Sequence, residues 1–312
     1  MEHYVTIFNN LFLPHGLALY ASMERKIEKY VLWILCVDDE TYDVLEKLAL
    51  PNIRLLKLSN LETRELLDIK SKRTIGEYCW TLTPISFRYV FDSDQSVDRV
   101  TYIDADLWFL KKPKLIFDEF QASGKNVLIT DHAYAPEYDQ SEKFGKFCVQ
   151  FITITREGGE PVRQWWENRC KEWCFARLED GKFGDQKYLD DWPELFSSLV
   201  HVLGNKESTL APWNAIRFPY GNAIFYHFHG LKIISRKKLK IGAYSLPATL
   251  IENVYKPYGQ DLKHAINLLE TAEYSWKTQV NNENMLRRFY MTLRRLRHIS
   301  HLLVPSNYMK WQ

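Results

Sequence analysis

The feature that most constrains the fold is the alternation of short apolar runs with segments of helical periodicity in the first third of the chain. The apolar, β-branched runs predict strands at 4–8, 31–37, 53–58 and 100–103. The segments between them predict helices at 16–27, 40–48 and 84–91. Such alternation is typical of a mostly parallel sheet with helices on both faces. Ligands of these sheets bind beyond the carboxyl ends of the strands, so polar residues just after strands are the candidates for a functional site.

The second half of the chain has a more mixed pattern. Strands are predicted at 127–130, 148–155 and 223–228, and a tryptophan-rich helix is predicted at 162–175. From about residue 260 the composition becomes helical, polar and basic. We therefore predict an α/β domain with a Rossmann-like mixed sheet at residues 1–259 and a helical basic region at 260–312.

Composition narrows the class of protein. The net charge of +2 comes from 41 basic and 39 acidic residues, which gives no overall field that would attract nucleic acid. The cysteines number five and are widely spaced among apolar neighbours, which indicates reduced core thiols in a cytosolic protein. The sequence lacks a signal peptide pattern and any apolar run of about 18 residues, so we expect a cytoplasmic protein.

Two carboxylates follow the predicted strand 100–103. Asp104 and Asp106 are two residues apart, so in an extended segment they face the same side and can converge on one ion. Mn²⁺ and Mg²⁺ prefer such oxygen ligands, and a metal there could neutralise a diphosphate leaving group. Two solvated aspartates at a strand end are the alternative. The buried Tyr-Ile before the pair and Leu-Trp-Phe after it favour the metal site.

Four blocks, at 4–22, 100–110, 183–193 and 226–232, carry a resemblance to a known family. Together they resemble the GT-A glycosyltransferases, especially glycosyltransferase family 8, which includes glycogenin and bacterial lipopolysaccharide galactosyltransferases. The chain is most similar to transferases from bacterial surface-polysaccharide gene clusters. The resemblance implies the GT-A fold and metal-dependent transfer of a hexose from a nucleotide-diphosphate sugar, with UDP as the expected nucleotide. The acceptor would be a saccharide or a lipid-linked glycan of surface polysaccharide or lipopolysaccharide synthesis.

The resemblance also implies a third metal ligand. In the family it is a histidine of an H-x-x-G block, and His227 has that position here, beside Asp104 and Asp106. His229 faces the same side if this stretch is a strand, and it is the alternative ligand. Lys232 could contact the diphosphate, or it could be a solvated surface lysine.

Asp185 and Gln186 match the family residues that face the sugar. By resemblance, Gln186 lies near the anomeric carbon, Asp185 binds sugar hydroxyls, and transfer proceeds with retention. Asp185 could instead cap a helix. An inverting enzyme would need a carboxylate base, for which Asp131, Asp190 and Asp191 are available.

Further donor contacts follow from the same resemblance. Thr6 and Asn9 would hold the nucleotide base, although many family members have Asp where this chain has Asn9. Arg88 matches a donor-binding arginine, with a salt-bridged helix residue as its alternative. Asp131 and His132 end the strand that follows and could meet the sugar. The stretch 147–151 departs from the family's Phe-Asn-x-Gly pattern, so the resemblance assigns no role to the residues there.

The C-terminal region predicts an amphipathic helix at 285–303. An apolar stripe runs beside five arginines: Arg287, Arg288, Arg294, Arg295 and Arg297. Such a helix can bind an anionic membrane surface peripherally, or it can pack on the domain with its basic face in water.

Two rival functions remain. A nucleotidyltransferase should have a glycine-rich, basic loop after the first strand, but residues 8–16 contain one glycine and neither lysine nor arginine. A non-catalytic sugar-binding relative would not need the carboxylates and histidine that the chain retains, although an inactive transferase could keep them.

Overall fold

The computed structural model describes residues 1–242, 244–278 and 308–310. Its strands are β1 (Glu2–Phe8), β2 (Tyr30–Cys36), β3 (Ile53–Lys57), β4 (Arg99–Ile103), β5 (Leu107–Phe109), β6 (Val127–Asp131), β7 (Phe147–Thr155), β8 (Val200–Val202), β9 (Thr209–Leu210), β10 (Phe225–His227), β11 (Lys232–Ser235), β12 (Lys238–Lys240) and β13 (Tyr308–Lys310). Its helices are α1 (Leu13–Lys26), α2 (Asp39–Leu48), α3 (Arg64–Lys70), α4 (Ile75–Ser93), α5 (Lys114–Ser123), α6 (Ser141–Phe144), α7 (Glu160–Glu172), α8 (Trp192–Leu195), α9 (Ala248–Leu250) and α10 (Lys256–Thr271).

The main sheet has seven strands in the order β3-β2-β1-β4-β7-β6-β8. Strands β3, β2, β1 and β4 are parallel neighbours, and β7 runs antiparallel to both β4 and β6. Alternate residues of the central strands enter opposite cores: Tyr4 packs in the cluster under α1 and α5, and Val5 packs in the cluster under α4 and α7. The predicted α/β class, with a mixed sheet flanked by helices, is confirmed.

Helix starts follow local capping chemistry. The Asp38 carboxylate accepts from the Thr41 amide at 2.7 Å and caps α2. Thr74 and Glu77 form a capping box that starts α4 at Ile75, well before the predicted start at 84. Pro84, at which the predicted helix began, lies inside α4, although proline is more often found in the first turn of a helix.

A second, three-stranded sheet positions the site. In it β10 lies between β5 and β9, and it pairs antiparallel with β5 so that His227 lies opposite Leu107. This pairing brings a residue from late in the chain next to the segment that follows β4.

The last described elements pack on the α/β domain. Helix α10 spans the predicted boundary at 259–260, and its Leu262 and Leu269 are fully buried. Strand β13 pairs with β12, and Met309 is buried. The predicted amphipathic helix at 285–303 lies outside the described residues. None of the described helices combines the length and the apolar composition needed to cross a bilayer.

Candidate active site

A cavity of about 500 Å³ opens at the carboxyl ends of the central strands. Asn9 follows β1, Asp104 follows β4 and His132 follows β6 on its wall, as expected for ligand sites in open α/β sheets. Aromatic side chains also line the cavity, among them Trp80, Phe144 and Phe183. The described residues that line the cavity include three carboxyl groups and three histidines, and neither lysine nor arginine.

Three potential metal ligands meet in this cavity. Asp104, Asp106 and His227 each offer one ligand atom, and these atoms lie within 4.8 Å of one another. His227 Nε2 lies 3.2 Å from Asp106 Oδ1 and 3.5 Å from Asp104 Oδ2. Two carboxylates and an imidazole form a donor set that suits Mn²⁺ or Mg²⁺. The three predicted ligands are therefore grouped as a divalent ion would require.

Neighbouring groups hold these ligands in place. The Tyr102 hydroxyl donates to Asp104 Oδ1 at 3.0 Å, and the Phe228 amide donates to the Asp106 carbonyl at 2.9 Å. His227 Nδ1 lies 2.8 Å from Gln150 Oε1. The ring of Trp213 packs edge-on against the His227 imidazole, with centroids 5.5 Å apart.

The three groups shift one another's protonation in the metal-free protein. Burial raises the pKa of Asp104, and the charge of Asp106 adds to this, while His227 opposes it. Burial would also raise the pKa of Asp106, but the adjacent His227 holds it below its usual range. Burial would lower the pKa of His227, but the carboxylate of Asp106 and its hydrogen bond hold it well above its usual range. The cluster thus favours positive charge at the point where a cation would bind.

Asp185 enters the same cavity from the segment between α7 and α8. The residue is only 4% exposed, and its Oδ2 atom has no hydrogen-bond partner among the described residues. Burial raises the pKa of this carboxyl to about 8, so it carries a proton at neutral pH. The alternative role of Asp185 as a helix cap is not seen. The short helix Lys187–Asp191 has Gln186 as its N-cap residue, and no side chain caps it. Asp185 can therefore offer both a donor and an acceptor to a sugar hydroxyl.

Gln186 lines the cavity beside Asp185. Its Nε2 donates to the Phe144 carbonyl at 2.8 Å, which fixes the amide and leaves Oε1 as an acceptor. The preceding Gly184 has φ +53, and a Cβ there would lie 3.2 Å from the Trp80 ring. Glycine suits this turn because L side chains rarely adopt the positive φ, and a Cβ would also press on the Trp80 ring.

Only some of the predicted donor-binding residues lie on the cavity wall. Asn9 lines the cavity, and Thr6 is fully buried in β1 with its hydroxyl unpartnered among the described residues. Asp131 accepts from Lys206 Nζ at 2.7 Å and from the Ala133 amide at 2.6 Å, so it serves a local ion pair.

Two predicted basic contacts lie outside the cavity wall. Arg88 Nη2 lies 3.4 Å from Glu167 Oε1 on α7, which is the salt-bridged arrangement considered from the sequence. Lys232 is exposed at the start of β11. Neither residue lines the cavity as the structure describes it.

The carboxylates considered as inverting bases also lie elsewhere. Asp190 accepts from the Lys146 amide at 2.7 Å and from Lys187 Nζ at 2.9 Å. Asp191 borders a separate groove together with Trp165 and Trp173. Of the carboxyl groups that the structure describes along the main cavity, that of Asp185 lies apart from the cluster of Asp104, Asp106 and His227.

Two histidines complete the polar part of the wall. His132 stacks on Tyr134 with ring centroids 4.7 Å apart, and burial lowers its pKa to about 3. His229 packs against Trp213, and burial together with the nearby His227 lowers its pKa to about 4. Both are neutral at physiological pH. The sequence indicated His132 because it lies at the end of a strand. The contact between Gln150 and His227 leaves no signal in the sequence, because it depends on strand register.

Comparison with known proteins agrees with this architecture. No family model matches the chain. The chain is 30% identical over 289 residues to the uncharacterised protein YfnF of Bacillus subtilis (strain 168), covering 86% of this chain and 94% of that protein. Its structure is similar to the glycosyltransferase GlyE of Streptococcus pneumoniae TIGR4, with a TM-score of 0.51, 16% identity, and 90% of this chain and 66% of that chain covered. It is also similar to mouse xyloside xylosyltransferase 1, with a TM-score of 0.50, 15% identity, and 73% and 98% covered.

Proposed function

We propose that this chain, which belongs to the same family as Bacillus subtilis YfnF and has the GT-A glycosyltransferase fold, is itself a divalent-metal-dependent glycosyltransferase. Its donor is a nucleoside-diphosphate hexose, with UDP as the nucleotide. Its acceptor is a saccharide or a lipid-linked glycan of surface-polysaccharide or lipopolysaccharide synthesis. Transfer retains the anomeric configuration.

One observation carries the proposal. The cluster of Asp104, Asp106 and His227 and the protonated Asp185 lie on the walls of one cavity at the carboxyl edge of the sheet. The donor set fits Mn²⁺ or Mg²⁺, and the bound ion supplies charge neutralisation for a diphosphate leaving group. Since no lysine or arginine is among the described lining residues, we expect the metal to supply most of that neutralisation.

The chain's own residues bind and orient the donor. Asp104, Asp106 and His227 hold the cation, and Asn9 contacts the nucleotide at the end of β1. Asp185 hydrogen-bonds sugar hydroxyls through its protonated carboxyl, and Gln186 presents Oε1 towards the anomeric centre. The aromatic wall excludes water from the reacting atoms, which strengthens these polar contacts.

Retention is supported by where the carboxylates lie. A direct inverting displacement requires a carboxylate base at the acceptor hydroxyl. Asp131 and Asp190 are held by Lys206 and Lys187, and Asp191 borders another groove. Asp185 remains protonated at neutral pH, so it is a poor base there.

A donor panel tests the proposal. The full-length protein is incubated with nucleotide sugars that vary in base and hexose, in Mn²⁺ and in EDTA, and release of the nucleoside diphosphate is measured. We expect Mn²⁺-dependent hydrolysis of one or a few UDP-sugars, and its loss in Asp106→Asn. The matched control is Asp118→Asn, which changes an exposed carboxylate on α5. Absence of release from every donor, or equal release in EDTA, contradicts the proposal.

A further inference from the structure

Gln150 on β7 contacts two of the three metal-binding residues through two different groups. Its main-chain carbonyl accepts from the Asp104 amide at 3.2 Å. Its side-chain Oε1 lies 2.8 Å from His227 Nδ1. The side chain is fully buried, so water does not compete for these contacts. A single residue thus links the strand that carries the aspartates with the strand that carries the histidine.

Strand register explains this position. In the antiparallel pair of β4 and β7, Ile103 lies opposite Phe151, so the next pair along the chain is Asp104 and Gln150. On the other side, β10 pairs with β5 and holds His227 opposite Leu107. Gln150 therefore lies where the end of β4 and the end of β10 approach each other.

The contact with Gln150 fixes which nitrogen of His227 can bind a metal. An amide oxygen only accepts hydrogen bonds, so the proton of this contact belongs to His227 Nδ1. The neutral imidazole then has its lone pair on Nε2, which is the atom that faces Asp104 and Asp106. Histidine ligands of metals are commonly held in one tautomer by such an acceptor on the other ring nitrogen.

We infer that Gln150 is a positioning residue of the metal site, which selects the Nδ1–H tautomer of His227 and keeps Nε2 directed at the cation. The inference rests on the proposed function, because it requires a cation at Asp104, Asp106 and His227. Without the Gln150 acceptor, the Nδ1–H group loses its hydrogen bond to the amide oxygen, and the ring can bind in the wrong tautomer or orientation. Loss of such a supporting contact typically lowers metal affinity by about 10- to 100-fold.

Matched substitutions test the acceptor itself. Gln150→Met keeps the length of the side chain and removes the amide oxygen, whereas Gln150→Glu keeps an oxygen acceptor. Gln121→Met makes the same chemical change at an exposed position on α5. Free Mn²⁺ is measured by electron paramagnetic resonance in titrations of each full-length protein. We expect an affinity loss of about 10- to 100-fold in Gln150→Met, a change of at most a few-fold in Gln150→Glu, and none in Gln121→Met.

A second readout distinguishes positioning from a general structural effect. In Mg²⁺-loaded, ¹⁵N-histidine-labelled protein, the ring nitrogen signals of His227 report its tautomer. We expect the Nδ1–H form in the wild type and in Gln150→Glu, and a mixture in Gln150→Met. If Gln150→Met does not fold, a wild-type His227 protonated on Nε2 still overturns the inference.

The outcomes also separate this inference from the proposed function. Weak Mn²⁺ binding in Asp106→Asn with wild-type affinity in Gln150→Met overturns the role of Gln150 and leaves the metal site intact. Equal affinity in the wild type and Asp106→Asn overturns the metal site and the inference together.

Discussion

The indole N–H of Trp166 donates a 2.8 Å hydrogen bond to the main-chain carbonyl of Asp185. Both residues are buried, and Trp166 lies on α7 with its side chain in the hydrophobic core. This hydrogen bond fixes the main chain at Asp185, while the carboxyl group of the residue extends into the cavity. This rigid support explains how the fold keeps a poorly solvated carboxyl in place.

The burial of Asp185 predicts a specific pH dependence of stability. Its folded pKa of about 8 lies above the ordinary 3.8, so the folded state binds the proton more tightly than the unfolded chain. Stability from this group is full below pH 4 and is lost as the pH rises to 8, by up to about 5 kcal/mol. The free energy of unfolding of Asp185→Asn should lack this dependence on pH, so the variant should be more stable than the wild type at pH 8. It should also lose transfer activity. Urea unfolding in EDTA at pH 5 and pH 8 measures the free energy of unfolding, with Asp118→Asn as the control. The same change in this free energy between the two pH values in the wild type and in Asp185→Asn would contradict the prediction.

Donor binding should depend on the metal. Neither lysine nor arginine is among the described residues that line the cavity, so a diphosphate without the cation would lie beside the carboxyl groups of Asp104, Asp106 and Asp185 with little positive charge to offset them. Calorimetric titration of UDP should give binding in Mn²⁺ that weakens at least about 10-fold in EDTA or in Asp104→Asn. The exposed variant Asp118→Asn should bind as the wild type does. Unchanged affinity in EDTA would exclude the metal-bridged arrangement.

His227, and not His229, should complete the metal site. His227 Nε2 lies 3.2 Å from the nearer carboxylate, whereas His229 packs against Trp213 outside the ligand cluster. His227→Ala should lower Mn²⁺ affinity by about 10-fold or more, and His229→Ala should change it little. Both proteins should retain the far-ultraviolet circular dichroism of the wild type. The reverse ranking of the two variants would move the ligand by two residues.

The anomeric configuration of the product should match that of the donor. Asp131, Asp190 and Asp191 lie outside the main cavity wall, and Asp185 is protonated at neutral pH. Proton NMR of the first product formed from a donor accepted in the panel, read before mutarotation, decides this. An inverted product would require a deprotonated Asp185 or a rearranged site.

The basic segment at 285–303 should bind anionic membranes. Five arginines there are each worth on the order of 1 kcal/mol near an anionic surface, and high salt should weaken the attraction. Because β13 pairs with β12, truncation would also remove a strand of the folded domain. Replacing the five arginines with glutamine is the sharper test, with co-sedimentation on vesicles of phosphatidylglycerol or phosphatidylcholine. Equal pelleting of both proteins with anionic vesicles would contradict the electrostatic role.

The sequence predicted the sheet and the proximity of the two aspartates because both leave local signals. Alternating apolar runs predicted the parallel strands, and the spacing of Asp104 and Asp106 after β4 predicted ligands on one face. Family resemblance was needed for His227, since the pairing of β10 with β5 has no local signature.

Other contacts could not be predicted because they arise between distant segments. Asp131 follows the rule for functional residues at strand ends, yet Lys206 from a later loop neutralises it. Arg88 matches a donor-binding position, yet α7 places Glu167 beside it. Gln150 departs from the family pattern, and its contact with His227 follows only from the register of β7.

The pairing of β10 with β5 has a consequence for folding as well as for catalysis. The histidine lies far from the two aspartates in the chain, so an ion bound to all three would act as a non-covalent cross-link between the early sheet and the late segment. An ion that binds the native state and not the unfolded chain stabilises it by about 2.7 kcal/mol at 100 times its dissociation constant. The concentration of free divalent metal would then set both the activity of the protein and how long its late segment stays docked.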